Sequence, residues 1–273
     1  MSDIRLRARS VTEIVDAAFQ LYKRETLDYV LVTALAYAPV VVAQMIVLRG
    51  ATLTSVQALG SLSTVFVLGA VGLLALVLMS AVLIRFSSDI YLEQPTALVT
   101  VVRSVLPTVP RLIGATLLVG LVSMLGFFPI AFFFVPGSIP LAIAGVLLAI
   151  AWVFYVIARF FAVNQLIVLE KLGVVAALAR SGVLSQNRKW HVLATILLVF
   201  VIFIMLQVGV TMVAQIAGSN AISLILQTLY TVVAYPLIGI TQMILYYDAR
   251  IRAEGFDIEV MAGAQGTPAT GTT

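Results

Sequence analysis

A chain of 273 residues that is 62% hydrophobic and 10% charged, with a mean hydropathy of +1.14, lies far from soluble proteins, in which about a quarter of residues are charged. The composition calls for a membrane, so the net charge of +4 is read as a topology signal and nucleic acid is excluded as a partner. Zero cysteines exclude disulfides, thiolate metal sites and cysteine nucleophiles.

The first 26 residues are charged and contain no signal-type apolar core, so no cleaved leader is expected. Ser10 and Glu13 stand at capping-box spacing. After them Val11, Ile14, Val15, Ala18 and Tyr22 fall on one helical face and Glu13, Asp16, Gln20 and Lys23 on the other. That pattern predicts an amphipathic helix lying in the headgroup region. A spanning helix needs about 20 apolar residues, and residues 29–48 and 64–84 supply the first two, with Gly69 and Gly72 placed to let helices approach closely.

Residues 85–111 form an elbow too short and too polar to span, and 112–135 a third span ending in aromatics. A five-residue turn leads into a fourth span over 141–162, in which Gly145 and Ala149 make a small-residue contact face. A second elbow precedes spans over 192–213 and 224–246, joined by a turn at Gly218, Ser219 and Asn220. Pro39, Pro129 and Pro236 fall inside spans and are expected to kink them. Residues 262–273 have no periodicity and are expected to be disordered, leaving 1–261 as one six-span, all-α membrane domain.

The two elbows share a pattern 77 positions apart. Ile90, Leu92, Glu93, Arg103, Ser104 and Arg111 in the first match Ile167, Leu169, Glu170, Arg180, Ser181 and Arg188 in the second. The layout is therefore three blocks, 10–84, 85–162 and 163–247, each an interfacial helix followed by a transmembrane hairpin, with the last two as parallel repeats about the membrane normal. Six spans put both termini on one side, where 15 of the 16 Lys and Arg residues then lie, with Arg49 opposite. By the positive-inside rule that side is cytoplasmic.

The candidates for chemistry are few. Glu93 with Arg103, and Glu170 with Arg180, are candidate ion pairs pinning each elbow, or with Arg111 and Arg188 a basic rim for anionic lipid headgroups. Asp248 with Arg252 and Arg250 with Glu254 stand four apart on the helix emerging from span six, and Gly255 is its stop signal. Asp248, Glu254, Asp257 and Glu259 are the alternative, an oxygen-ligand cluster for a divalent cation, though without an EF-hand spacing. His191, the sole histidine, has no orienting partner or nucleophile beside it in sequence and is read as an interfacial anchor. No charged residue lies near the middle of a span, which argues against an ion-coupled pump. Gln44, Gln207 and Gln227 map to the outer halves of their spans, as interhelical hydrogen-bonders or the lining of a polar cavity. No catalytic residue, cofactor or metal site is nominated.

The stretches SVTEIVDAAFQLYKRE, IVLEKLGVVAALARSGVLSQNRKW and LYYDARIRAEGFDIE resemble the bacterial multi-pass family known as the glycerophosphoryl diester phosphodiesterase membrane domain. Gly182 departs from that resemblance, which implies an aromatic there. In some members the domain is fused to a catalytic barrel, which implies phosphodiester hydrolysis; a barrel takes about 250 residues, and none is expected here. The reading is a non-enzymatic accessory or scaffold protein of the bacterial cytoplasmic membrane, in contact with the bilayer and its anionic headgroups. The alternatives are a transporter or lipid-handling protein with a weakly polar cavity, or a membrane subunit supporting a separate phosphodiesterase.

Overall fold

The computed structural model describes residues 7–48, 62–94, 97–133 and 138–255. The tail over 262–273, with Asp257, Glu259 and Arg49, lies outside the described residues. Among the described residues there is no strand, and six helical stretches are long and apolar enough to cross a membrane, as in a multi-pass membrane protein.

The chain begins with α1 (Val11–Arg24), whose start follows the expected capping box. The Ser10 N–H donates to Glu13 Oε2 at 2.7 Å and the Glu13 N–H to Ser10 Oγ at 3.4 Å. The Ser10 backbone N–H first, and then the Ser10 side chain, hold the Glu13 carboxyl below its ordinary pKa. The apolar stripe, however, meets protein as its principal partner: Ile14, Ala18 and Leu21 are fully buried and α1 packs on the last long helix. An apolar face of this width is indifferent to whether hydrocarbon or other helices cover it.

α2 (Thr26–Leu48) and α3 (Leu62–Tyr91) make the first hairpin. α3 overruns the expected end at residue 84 because Phe86, Ile90 and Tyr91 continue its buried face. At 1.5 Å per residue its 30 residues reach about 45 Å, beyond the roughly 30 Å hydrocarbon layer. Gly69 and Gly72 bring no helix close, since a Cβ built on either would meet nothing within 4 Å. The small pair therefore marks lipid-facing or hollow surface.

The first elbow is α4 (Leu98–Val105), followed by a 3-10 turn at Leu106–Thr108 and α5 (Val109–Met124). The third span breaks at a second 3-10 turn, Leu125–Phe127, before α6 (Phe128–Phe133). Pro129 lacks the N–H that would bond back into this turn, and Trp152 stitches the break, its Nε1–H donating to the Val122 carbonyl at 2.9 Å. A Cβ on Gly126 would stand 2.5 Å from Trp152 Cδ1. We therefore expect Gly126→Ala to cost about 1–3 kcal/mol by overpacking in thermal unfolding of the purified protein, whereas Gly120→Ala, with open space around it, is neutral or stabilising.

α7 (Ile139–Arg159) packs on α6 through Gly145 and Ala149, as their spacing implied; a Cβ on Gly145 would lie 2.8 Å from the Pro129 carbonyl. After α7 come α8 (Val163–Leu169) and the second elbow helix α9 (Val174–Leu184). α10 (Lys189–Ile216) and α11 (Asn220–Glu254) form the last hairpin, turning at Gly218 with φ +63°. Pro236 interrupts the hydrogen-bond ladder of α11, and the Tyr22 hydroxyl donates to the nearby Val233 carbonyl at 2.8 Å.

The core lies at the elbow end, where α1, α8 and the last turns of α3 and α11 converge around Leu83, Leu166, Ile240 and Tyr246. Away from it, Phe66, Ile139, Met205 and Ile216 stay more than 70% exposed, the surface a bilayer would cover. α1, α4 with its following 3-10 turn, and α9 bury residues at i, i+4 and i+7: Ile14, Ala18 and Leu21; Val101, Val105 and Thr108; Ala177, Ser181 and Leu184. This shared face gives block one a kinship with the others that its sequence does not show. It also sets the two elbows 76 positions apart in packing, against 77 in residue identity.

Candidate functional site

The polar side chains of greatest interest meet at the elbow end, carried there because α3 and α11 outrun the apolar layer. The 35 residues of α11 give it about 52 Å, so its last two turns project Asp248, Arg250, Arg252 and Glu254 into the elbow layer. Asp248 is the most buried carboxylate there, with 2% of its surface exposed. It accepts the Arg9 backbone N–H at 2.7 Å and Arg252 Nε at 2.9 and 3.1 Å. Arg252 in turn donates to the Arg9 carbonyl at 2.6 Å, tying the segment before α1 to the end of α11. His191 Nε2 lies 3.3 Å from Asp248, off hydrogen-bond geometry. The expected Asp248 and Arg252 pair thus exists, but as one edge of a buried junction.

The second node centres on Glu170, between α8 and α9. It accepts the Tyr246 hydroxyl at 2.7 Å, pairs with Arg180 at 2.8 Å and lies 3.9 Å from Arg250. Arg180 and Arg250 both reach Glu254 at 3.0 Å, closing a cycle of two acids and two arginines around Tyr246. A third link is the 2.7 Å bond between the hydroxyls of Ser88 and Tyr247, which fastens α3 to α11. Asp89 pairs with Arg85 at 2.9 Å within α3.

The elbow motif does different work in its two copies. Glu170 meets Arg180 as expected, whereas Glu93 and Arg103 are exposed and form no ion pair among the described residues. Glu93, two residues after α3, has φ 55°, whereas in the second copy the left-handed residue is Lys171, one place after the matching Glu170. Ser104 donates only within its own turn, to Val101, but Ser181 is fully buried, donating to the Arg159 carbonyl and accepting from the Ala162 N–H. The one-residue difference between packing and identity accounts for the serine contrast, since the buried position matching Ser181 is Val105 and not Ser104. Arg111 and Arg188, by contrast, act alike: Arg111 donates to the Lys171 carbonyl after α8, and Arg188 to the Arg252 and Ala249 carbonyls at the end of α11. Each cation thus reaches main-chain carbonyls at or near the C-terminal end of another helix, where a positive charge is favourable. Gly255, with φ 66°, completes the α11 cap by donating to the Ile251 carbonyl.

Gly182 also has a physical account, since a Cβ there would lie 3.1 Å from Arg159 Cζ, and an aromatic would displace that guanidinium. The three glutamines do not share a cavity. Gln44 lines a hollow of about 330 Å³ between α2, α3 and α11, and Gln207 another of about 270 Å³ between α10 and α11. Both hollows are mostly apolar and share Thr231 and Tyr235 as a common wall. Gln207 bonds Thr211 within its own helix at 3.2 Å, and Gln227 lines neither hollow. Among the described residues, no three His, Asp or Glu side chains come together as a metal site.

Asp248 as a hub, Arg9 as its partner and Tyr246 on Glu170 were not legible beforehand. The only signal was an acid directly after two tyrosines in the last turns of a span, where burial by an N-terminal segment 239 positions away has no sequence mark.

Fold and polar layer together define a six-span helical bundle with a charged cap at one end. Comparison with protein-family models, curated proteins and solved structures finds no match.

Proposed function

We propose that this chain is a non-enzymatic accessory or scaffold protein of the bacterial cytoplasmic membrane, with both termini and both elbows on the cytoplasmic side and its basic rim against anionic headgroups. The observation that carries the proposal is the use made of the acids. Asp248 is held by the Arg9 N–H from the opposite end of the chain and by Arg252 one turn on, and Glu170, the other carboxylate best placed for chemistry, by Tyr246 and Arg180 from two other helices. A general acid or base needs an open position for substrate and a partner that orients it, whereas these groups join helices. The concentration of 15 of 16 basic residues toward the termini and elbows supports the orientation.

The resemblance to a phosphodiesterase membrane domain makes the decisive assay turnover of glycerophosphodiesters by the purified chain in lipid. We expect none above the protein-free blank. Turnover abolished by Asp257→Asn or Glu259→Gln would overturn the proposal. The lateral hollows beside Gln44 and Gln207 favour one second reading, lipid handling, in which an acyl chain enters between helices; it predicts movement of a labelled lipid between leaflets of reconstituted vesicles.

A further inference from the structure

Arg159 and Lys189, at facing ends of α7 and α10, are among the cations at the elbow end without a carboxylate partner. Arg85, Arg180, Arg250 and Arg252 each meet an acid, but among the described residues Arg159 and Lys189 lie within 4.0 Å of none. Arg159 closes α7 and Lys189 opens α10. Lys189 Nζ stands 4.7 Å from the ring centre of Tyr155, and Tyr155 lies one turn before Arg159, on the same face of α7. The Arg159 guanidinium rests on Gly182 of α9. Both charges therefore belong to the junction of α7, α9 and α10.

One of the two charges works against its own helix. A helix N-terminus carries a positive partial charge, so a lysine at the first position of α10 has the unfavourable sign, whereas Arg159 in the last turn of α7 has the favourable one. An anion from outside the chain removes the imbalance. Its nature follows from what surrounds the charges: Trp190, beside Lys189, is 84% exposed, and Tyr155 is 39% exposed, the amphipathic aromatics that settle at headgroup level. Exposed Leu197 and Phe200, farther along α10, add apolar surface that only hydrocarbon would cover well. A soluble anion would satisfy the charges and leave this apolar surface unused.

We propose that the junction of Arg159, Lys189, Tyr155 and Trp190 is a binding site for an anionic phospholipid, its phosphate taken by the two cations and its glycerol and upper acyl carbons by the two aromatics. Gly182 is part of the site because only a residue without a side chain leaves the Arg159 guanidinium its place. This inference rests on the headgroup contact proposed above and gives it a location that the elbow motif does not contain.

The test uses the full chain in neutral detergent, titrated with phosphatidylglycerol or phosphatidylcholine, with retained lipid read by native mass spectrometry. One cation near an anionic headgroup is worth about fivefold in affinity, so Arg159→Gln with Lys189→Gln should weaken phosphatidylglycerol retention about 30-fold. Arg7→Gln, at an exposed cation already paired with Glu13, should change little, and Lys189→Arg should retain binding. If the double variant does not purify, Lys189→Gln alone carries the test, with a loss of about fivefold expected. Preference for the anionic lipid that survives these substitutions unchanged overturns the site while leaving headgroup contact by the elbows standing. No preference in the wild-type protein overturns both. Glycerol phosphate competing as well as the lipid overturns the assignment to a lipid.

Discussion

Asp248→Ala should be the most damaging single polar substitution in the protein, lowering stability by about 3–5 kcal/mol, the cost of removing one partner from a buried ionic cluster. The carboxylate is 2% exposed and receives the Arg9 N–H and the Arg252 guanidinium together. Its removal strands a largely buried main-chain donor and a guanidinium that also holds the Arg9 carbonyl. The N-terminal segment should come loose from the end of α11 before the bundle melts. Thermal unfolding in lipid, with proteolysis of the segment before α1 as a second readout, would measure both effects. Because Arg252 acts through the same carboxylate, Asp248→Ala and Arg252→Ala should combine well short of additively. Additive losses would mean that the two residues stabilise the protein independently.

The second large effect separates two glutamates that occupy the same place in the repeated motif. Glu170→Ala should cost about 2–4 kcal/mol, since it frees Tyr246, Arg180 and Arg250 from a partly buried acceptor. Glu93→Ala should stay within about 0.5 kcal/mol. Glu93→Gly should be neutral or slightly stabilising, because the residue sits at φ 55° where an L side chain is strained. The same thermal melts decide the matter. Equal losses at the two glutamates would contradict the asymmetry of the elbows.

That asymmetry shows what the sequence could and could not convey. Spans, turns and the capping box at Ser10 were legible because they depend on local composition and spacing: twenty apolar residues, an i to i+3 cap, a glycine with positive φ at Gly218. The repeat was legible as identities, and for Arg111 and Arg188 identity carried the role, because a long side chain reaching a carbonyl tolerates a shift of one residue. For Glu93 and Ser104 it did not. Ser104 has a short side chain with one direction, and a change of one position rotates it by about 100° around a helix with 3.6 residues per turn, while Glu93 follows α3 with a left-handed backbone that Glu170 does not share. The hub at Asp248 depends on contacts between the two ends of the chain, which no window of sequence contains. The split of the glutamines between two hollows follows from the width of α11, which intervenes between helices that the sequence places only by order.

The proposed cytoplasmic placement of termini and elbows underlies the accessory reading, and the absence of cysteine makes it directly measurable. Single cysteines placed at Gln186, between α9 and α10, and at Ser219, in the turn between α10 and α11, can be exposed to a membrane-impermeant maleimide in intact cells. The account predicts that Ser219→Cys is labelled at once and Gln186→Cys only after the membrane is opened. Labelling of both positions in intact cells, of neither, or in the reverse order would contradict it.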